Sequence, residues 1–134
     1  MNSVVLDSSA VLAMILNEPG GDRVEALLDR LDGGAHATKA AISAVNWCET
    51  LTRLERTGIA VSGARLSSIL SGVEVVPFGQ PEAESAASIT RLDASLSIGD
   101  RACIALAYER GAVAWTCDKI WTRAKLPIKL EMLR

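Results

Sequence analysis

Short β-branched apolar runs alternate with helix-patterned stretches along the whole chain, and this alternation limits the possible folds more than any other feature. Val4-Val5-Leu6 leads into an apolar stretch from Ala10 to Leu16, which Pro19-Gly20-Gly21 interrupts. From Asp22 to Leu31, the residues Val24, Leu27, Leu28 and Leu31 share one helical face, and Gly33-Gly34 supplies a stop. A short strand is expected around Ala35 to Thr38, then a long helix from about Ser43 to Thr57, stopped by Gly58. A further helix near Ser62 to Leu70 precedes a strand from Val73 to Pro77. Pro81 opens a helix reaching about Asp93, and Gly99-Asp100 opens another through Arg110-Gly111. Ala112 to Thr116 reads as a strand, and Ile128 to Leu133 as the closing one. Strands separated by helices imply right-handed crossovers and a parallel sheet covered on both faces.

A length of 134 residues fits one domain over 1–134, and 49% hydrophobic with 22% charged residues excludes a disordered chain. The apolar runs are too short to span a bilayer, and no basic segment precedes a cleavable apolar one, so a cytoplasmic protein without membrane contact is expected. Cys48, Cys103 and Cys117 are widely spaced and His36 is the sole histidine, which supports neither a disulfide framework nor a zinc finger. The thiols read as packing residues.

Asp7, Glu49, Asp100 and Asp118 stand out by position. Asp7 closes the first apolar run, and Cys117-Asp118 follows the strand ending at Thr116, so both carboxylates are expected at strand carboxyl ends. In an open parallel sheet that edge is where ligands bind, at the point where strand order reverses. Asp100 begins a crossover helix, whose amino end lies at the same edge. Glu49 sits about six residues into its helix, roughly 9 Å along the axis, and reaches the crevice only if that helix leans over it. Each acid also has a structural reading. Asp7 and Asp118 suit N-caps, Asp100 suits a first helical turn, and Glu49 is placed to pair with Arg53 at i, i+4.

The net charge of −2 argues against coating nucleic acid through bulk charge. It leaves room for a local path, and Arg53, Arg101, Lys119, Arg123 and Lys125 lie beside the acids in sequence. Singly, each also reads as a solvated helix face.

Val5-Leu6-Asp7-Ser8-Ser9-Ala10-Val11-Leu12-Ala13, Asn46-Trp47-Cys48-Glu49, Leu96 to Ala107 around Gly99-Asp100-Arg101, and Thr116-Cys117-Asp118-Lys119-Ile120-Trp121 resemble the successive motifs of PIN-domain nucleases. The resemblance runs end to end and, in size, is nearest to VapC toxins of toxin–antitoxin pairs. It implies a three-layer α/β/α sandwich with a mainly parallel five-stranded sheet, order 3-2-1-4-5. It also implies an endoribonuclease dependent on Mg²⁺, with Mn²⁺ as substitute, leaving 5′-phosphate and 3′-hydroxyl ends. In that chemistry Asp7, Asp100 and Asp118 are metal ligands, Glu49 positions or deprotonates the attacking water, and Ser8 and Thr116 support it by hydrogen bonds. Hard divalent cations favour such oxygen donors.

Arg101, Lys119, Trp121 and Arg123 are the substrate-binding candidates, with Trp121 placed either to stack on an unpaired base or to pack in the core. Trp47 and Trp115 read as buried. The family further implies an RNA substrate, a homodimer and a VapB-type antitoxin, for which Met14, Ile15 and Leu27 form either a receptor surface or core. Ile120 occupies the position where some PIN domains carry one more carboxylate, which favours one tight ion over two. The alternatives are a catalytically silent PIN-like module that binds RNA or protein, and a phosphoacceptor receiver domain. The receiver needs adjacent acids after its first strand, and Asp7 has no acidic neighbour.

Overall fold

The computed structural model describes residues 2–31 and 37–134. It contains a five-stranded sheet of order β3-β2-β1-β4-β5, with every neighbouring pair parallel. The strands are β1 (Ser3–Leu6), β2 (Lys39–Ser43), β3 (Val73–Val76), β4 (Val113–Thr116) and β5 (Lys129–Met132). Between them run α1 (Ser8–Ile15), α2 (Gly21–Asp29), α3 (Ala44–Arg56), α4 (Gly63–Ile69), α5 (Gln80–Ile89) and α6 (Ile98–Arg110), with a short 3-10 helix at Lys119–Thr122. The α/β/α fold and the strand order 3-2-1-4-5 are those the motifs imply.

β1 is central, so both of its faces are covered and Val4, Val5 and Leu6 are all buried. Successive side chains point to opposite faces. Val5 joins Cys103, Ile104, Ala107 and Trp121 in one core, while Val4 and Leu6 join Val11, Leu27, Ile42 and Trp115 in the other. Burying a Val or Leu side chain contributes about 1.5–3 kcal/mol, which is why these runs are almost purely apolar. The edge strands differ. Glu74 on β3 and Lys129 on β5 are exposed, and charges there discourage pairing with a further strand.

One strand lies later than its sequence pattern suggests. The expected strand at Ala35 to Thr38 begins in residues outside those described, as does the expected Gly33-Gly34 stop; the observed strand is Lys39–Ser43. Ala40, Ala41 and Ile42 are buried there, and alanines carry little strand signal of their own. Ser43 then caps α3, its hydroxyl accepting from the Val45 N–H at 3.2 Å. The leading helix also ends at Asp29 rather than Leu31, and α5 at Ile89 rather than Asp93.

Of the residues open to either a receptor surface or the core, one is settled as core. Leu27 is buried, and Met14 and Ile15 pack against the same core, so Leu27 does not offer a docking face. Cys48, by contrast, is exposed, whereas Cys103 is buried. Among the described residues no helix is long and apolar enough to cross a membrane.

Candidate metal and catalytic site

The sheet topology sets the site. β1 and β4 are neighbours with Leu6 opposite Trp115, and the Asp7 N–H extends the ladder by donating to the Trp115 carbonyl at 3.0 Å. Asp7 and Thr116 therefore leave adjacent strands side by side, at the point where the chain order turns from β1 toward β2 on one side and β4 on the other.

Asp7 occupies the N-cap position of α1 but makes no side-chain cap. Its carboxylate turns into the cleft instead. Oδ2 accepts from the Ser9 hydroxyl at 2.6 Å and the Thr116 hydroxyl at 2.9 Å, and Oδ1 faces Asn46 Nδ2 at 3.4 Å. With 4% of its surface exposed, the carboxyl is pushed up to about 6 from 3.8. Burial is the chief cause, the hydroxyls of Ser9 and Thr116 oppose it, and the nearby charges of Asp100 and Glu49 add to it.

Glu49 does lean over the crevice. Its Oε1 accepts from Asn46 Nδ2 at 3.0 Å and Ser8 Oγ at 3.3 Å, so Ser8 supports Glu49 rather than Asp7. The expected pair with Arg53 is not formed. The Asn46 amide also donates to the Gly99 carbonyl at 3.0 Å, joining α3 to the amino end of α6. A methyl group added at Gly99 would collide with the Glu49 carboxylate, so glycine at this position leaves the space in which that carboxylate lies against the amino end of α6.

Asp100 and Asp118 carry structural duties as well. Asp100 Oδ2 accepts from the Ser97 N–H at 3.0 Å while Ser97 Oγ accepts from the Asp100 N–H at 3.1 Å, a reciprocal capping box. Asp118 Oδ1 accepts from the Ile120 N–H at 3.0 Å and caps the 3-10 helix. Among the described residues no three acidic, thiol or imidazole groups converge tightly enough to enclose an ion.

The donor chemistry nevertheless fits a hard divalent cation. The polar lining is carboxylate and hydroxyl oxygen, and among the described residues the buried Asp7 carboxylate has no cationic partner and the buried Asn46 Oδ1 has no hydrogen-bond donor.

Sequence reasoning missed Asn46 and Ser9 as members of the site. Asn46 lies three residues before Glu49, the spacing that places both on one helix face, and Ser9 lies two after Asp7, where a hydroxyl folds back easily. Two substrate-binding candidates are removed. Trp121 is completely buried in the core and offers no ring to a base. Arg101 is half-buried and directs its guanidinium to the carbonyls of Leu96 at 3.3 Å and Ala86 at 3.4 Å, bracing the approach to α6. Lys119 and Arg123 remain exposed beside Asp118. A cavity of about 590 Å³ opens where β1, β4 and β5 begin and contains none of the four acids.

The PIN domain family profile matches residues 4–126. A toxin–antitoxin complex from Klebsiella pneumoniae superimposes with a TM-score of 0.71 at 15% identity, covering 98% of both chains. VapBC2 from Rickettsia felis, bound to a promoter DNA fragment, gives 0.66 at 17% identity over 98% of this chain and 99% of the other. DNA-bound VapBC from Salmonella typhimurium gives 0.65 at 18% identity over 100% of each. At such identities the likeness is one of fold. No curated protein is significantly similar in sequence. Because the profile spans nearly the whole chain and the sheet has the order its motifs imply, the chain belongs to the PIN-domain family.

Proposed function

We propose that this protein is a divalent-metal-dependent endoribonuclease and the toxin of a VapBC-type pair, working in the cytoplasm and held in check by a VapB-type antitoxin. The observation that carries this reading is the state of Asp7: a buried carboxylate at the sheet's switch point, turned away from its capping duty and close enough to Glu49 and Asp100 to feel their charge, with no cationic side chain paired to it among the described residues. Asp7 and Asp100 would be the principal ligands and Asp118 a further one. The ion, Mg²⁺ or Mn²⁺, would supply a water of lowered pKa and neutralise charge on the scissile phosphate. Glu49, oriented by Asn46 and Ser8, orients the attacking water and takes its proton. Thr116 and Ser9 fix the Asp7 carboxylate. Structural relatives that are toxin–antitoxin complexes support the assignment of an antitoxin partner.

The test is cleavage of cellular RNA by purified protein with Mn²⁺ or Mg²⁺ and with chelator, and with Asp7→Asn beside it. Metal-dependent cutting lost in the variant is expected; equal cutting by both sinks the assignment. A second reading, a silent PIN-like module binding RNA or protein, draws on the capping roles of Asp100 and Asp118. Calorimetric titration with Mn²⁺ separates the two, since the silent module predicts no saturable heat.

A further inference from the structure

Beyond the acids, a groove of about 350 Å³ runs from Ser8 and Glu49 between α1 and α3 to Arg53, Arg56 and Arg134. We propose that it is the track for the phosphates flanking the cut, along which a single RNA strand leaves the carboxylate cleft. The proposal rests on RNA being the ligand of that cleft.

Glu49, Arg53 and Arg56 fall at i, i+4 and i+7 on α3, one stripe of a single helix. At 1.5 Å per residue the backbone positions of the two arginines lie about 6 and 10.5 Å beyond that of Glu49 along the axis. That is within about three nucleotides of the reacting phosphate at a stacked spacing of 3.4 Å. The groove therefore changes sign along its length, acidic where an ion would neutralise the scissile phosphate and basic where flanking phosphates remain anionic. Both arginines are exposed, and among the described residues neither has a carboxylate within ion-pairing distance. Glu49, the acid best placed to neutralise Arg53, is turned toward Asn46 and Ser8. Arg134 at the far end faces Glu18 at 3.9 Å and the Pro19 carbonyl at 3.3 Å, so Arg53 and Arg56 carry the contact. The planar guanidinium matches a phosphate with two parallel donors.

The experiment is fluorescence anisotropy of a labelled single-stranded RNA of about 12 nucleotides, within the reach of single-strand sites. Wild type, Arg53→Gln/Arg56→Gln and Arg65→Gln/Arg91→Gln are compared in Ca²⁺ in place of Mg²⁺, with the strand checked to be uncut, across about 50 to 200 mM salt. The last variant removes equal charge from exposed sites elsewhere. Each lost phosphate contact lowers the log–log salt slope by about 0.7, so the groove variant should bind about tenfold more weakly with a slope shallower by about 1.4. The remote variant should bind as wild type does. If wild type does not bind, or if both variants weaken binding alike, the track is overturned. Unchanged binding by the groove variant also overturns it and leaves the groove to a protein partner. Cleavage assayed in parallel judges the nuclease reading separately: weakened binding by the groove variant with no cutting by wild type keeps the track and discards the chemistry.

Discussion

The four acids fall into two pairs that are held in different ways. Asp7 and Glu49 are gripped by side chains, Asp7 by the hydroxyls of Ser9 and Thr116 and Glu49 by the Asn46 amide and the Ser8 hydroxyl. Asp100 and Asp118 are gripped by the backbone of the helices they begin. A capping carboxylate has a reason to exist without any ligand, since it satisfies a backbone N–H worth about 1 kcal/mol. A buried carboxylate surrounded by hydroxyls and other acids has none, because its charge costs stability wherever no cation offsets it. The first pair therefore argues for chemistry more strongly than the second, although all four are carboxylates.

Asp7→Asn should show the largest effect, with opposite signs in activity and stability. Metal-dependent cleavage is expected to fall by about 10³-fold or more. The fold, however, should gain stability near pH 8. The Asp7 carboxyl is raised from 3.8 to about 6 in the folded state, so its favourable contribution is complete below 3.8 and is lost as pH rises through about 6. The loss amounts to about 3 kcal/mol, which the variant avoids. Thermal melts of both proteins at pH 4 and pH 8 check this, and a variant less stable at pH 8 would contradict the electrostatic account.

Gly99→Ala comes next. The added methyl displaces the Glu49 carboxylate, the movable end of a flexible side chain, so cleavage should drop about 10- to 100-fold while stability changes little. Gly63→Ala is the companion, since nothing lies within 4 Å of a methyl there, and it should leave stability level or raise it slightly. Cleavage rates and denaturant titration of both distinguish a local displacement from a general intolerance of alanine.

Asn46→Ala removes the amide that joins Glu49 to the Gly99 carbonyl, and should lower cleavage about 10-fold or more through loss of positioning. Single-turnover rates measure it; an unaffected rate would mean that Glu49 is held without this link. The smallest structural effect belongs to Asp118→Asn, because asparagine caps about as well as aspartate and stability should change by less than about 0.5 kcal/mol. Manganese affinity by calorimetry should weaken nonetheless, and its constancy would make Asp118 a cap alone.

How much was legible in the sequence differs between the elements. Val4-Val5-Leu6 and Val113 to Thr116 announce themselves because central strands buried on both faces admit almost only apolar residues. β2 was misplaced because Ala40 and Ala41 carry no such signal and owe their strand state to β1 and β3 on either side. Trp121, three positions from Asp118, suits either base stacking or the core by sequence, and a 3-10 turn points it into the core beside Val5 and Ile104. Arg101 looked like a phosphate ligand by its adjacency to Asp100, and its guanidinium braces backbone carbonyls instead.

The sequence by itself determined the alternation of strands and helices, the placement of Asp7 and Asp118 just beyond strand ends, and Asp100 at a helix start, since these follow from local periodicity and capping chemistry. Only the tertiary structure decided that Asp7 abandons its cap for the cleft, that Glu49 leans in across Gly99, and that Arg53 and Arg56 stand unpaired along the groove. The physical reason is that burial, hydrogen-bond partners and charge neighbours are set by residues distant in the chain, and no window of local sequence contains them.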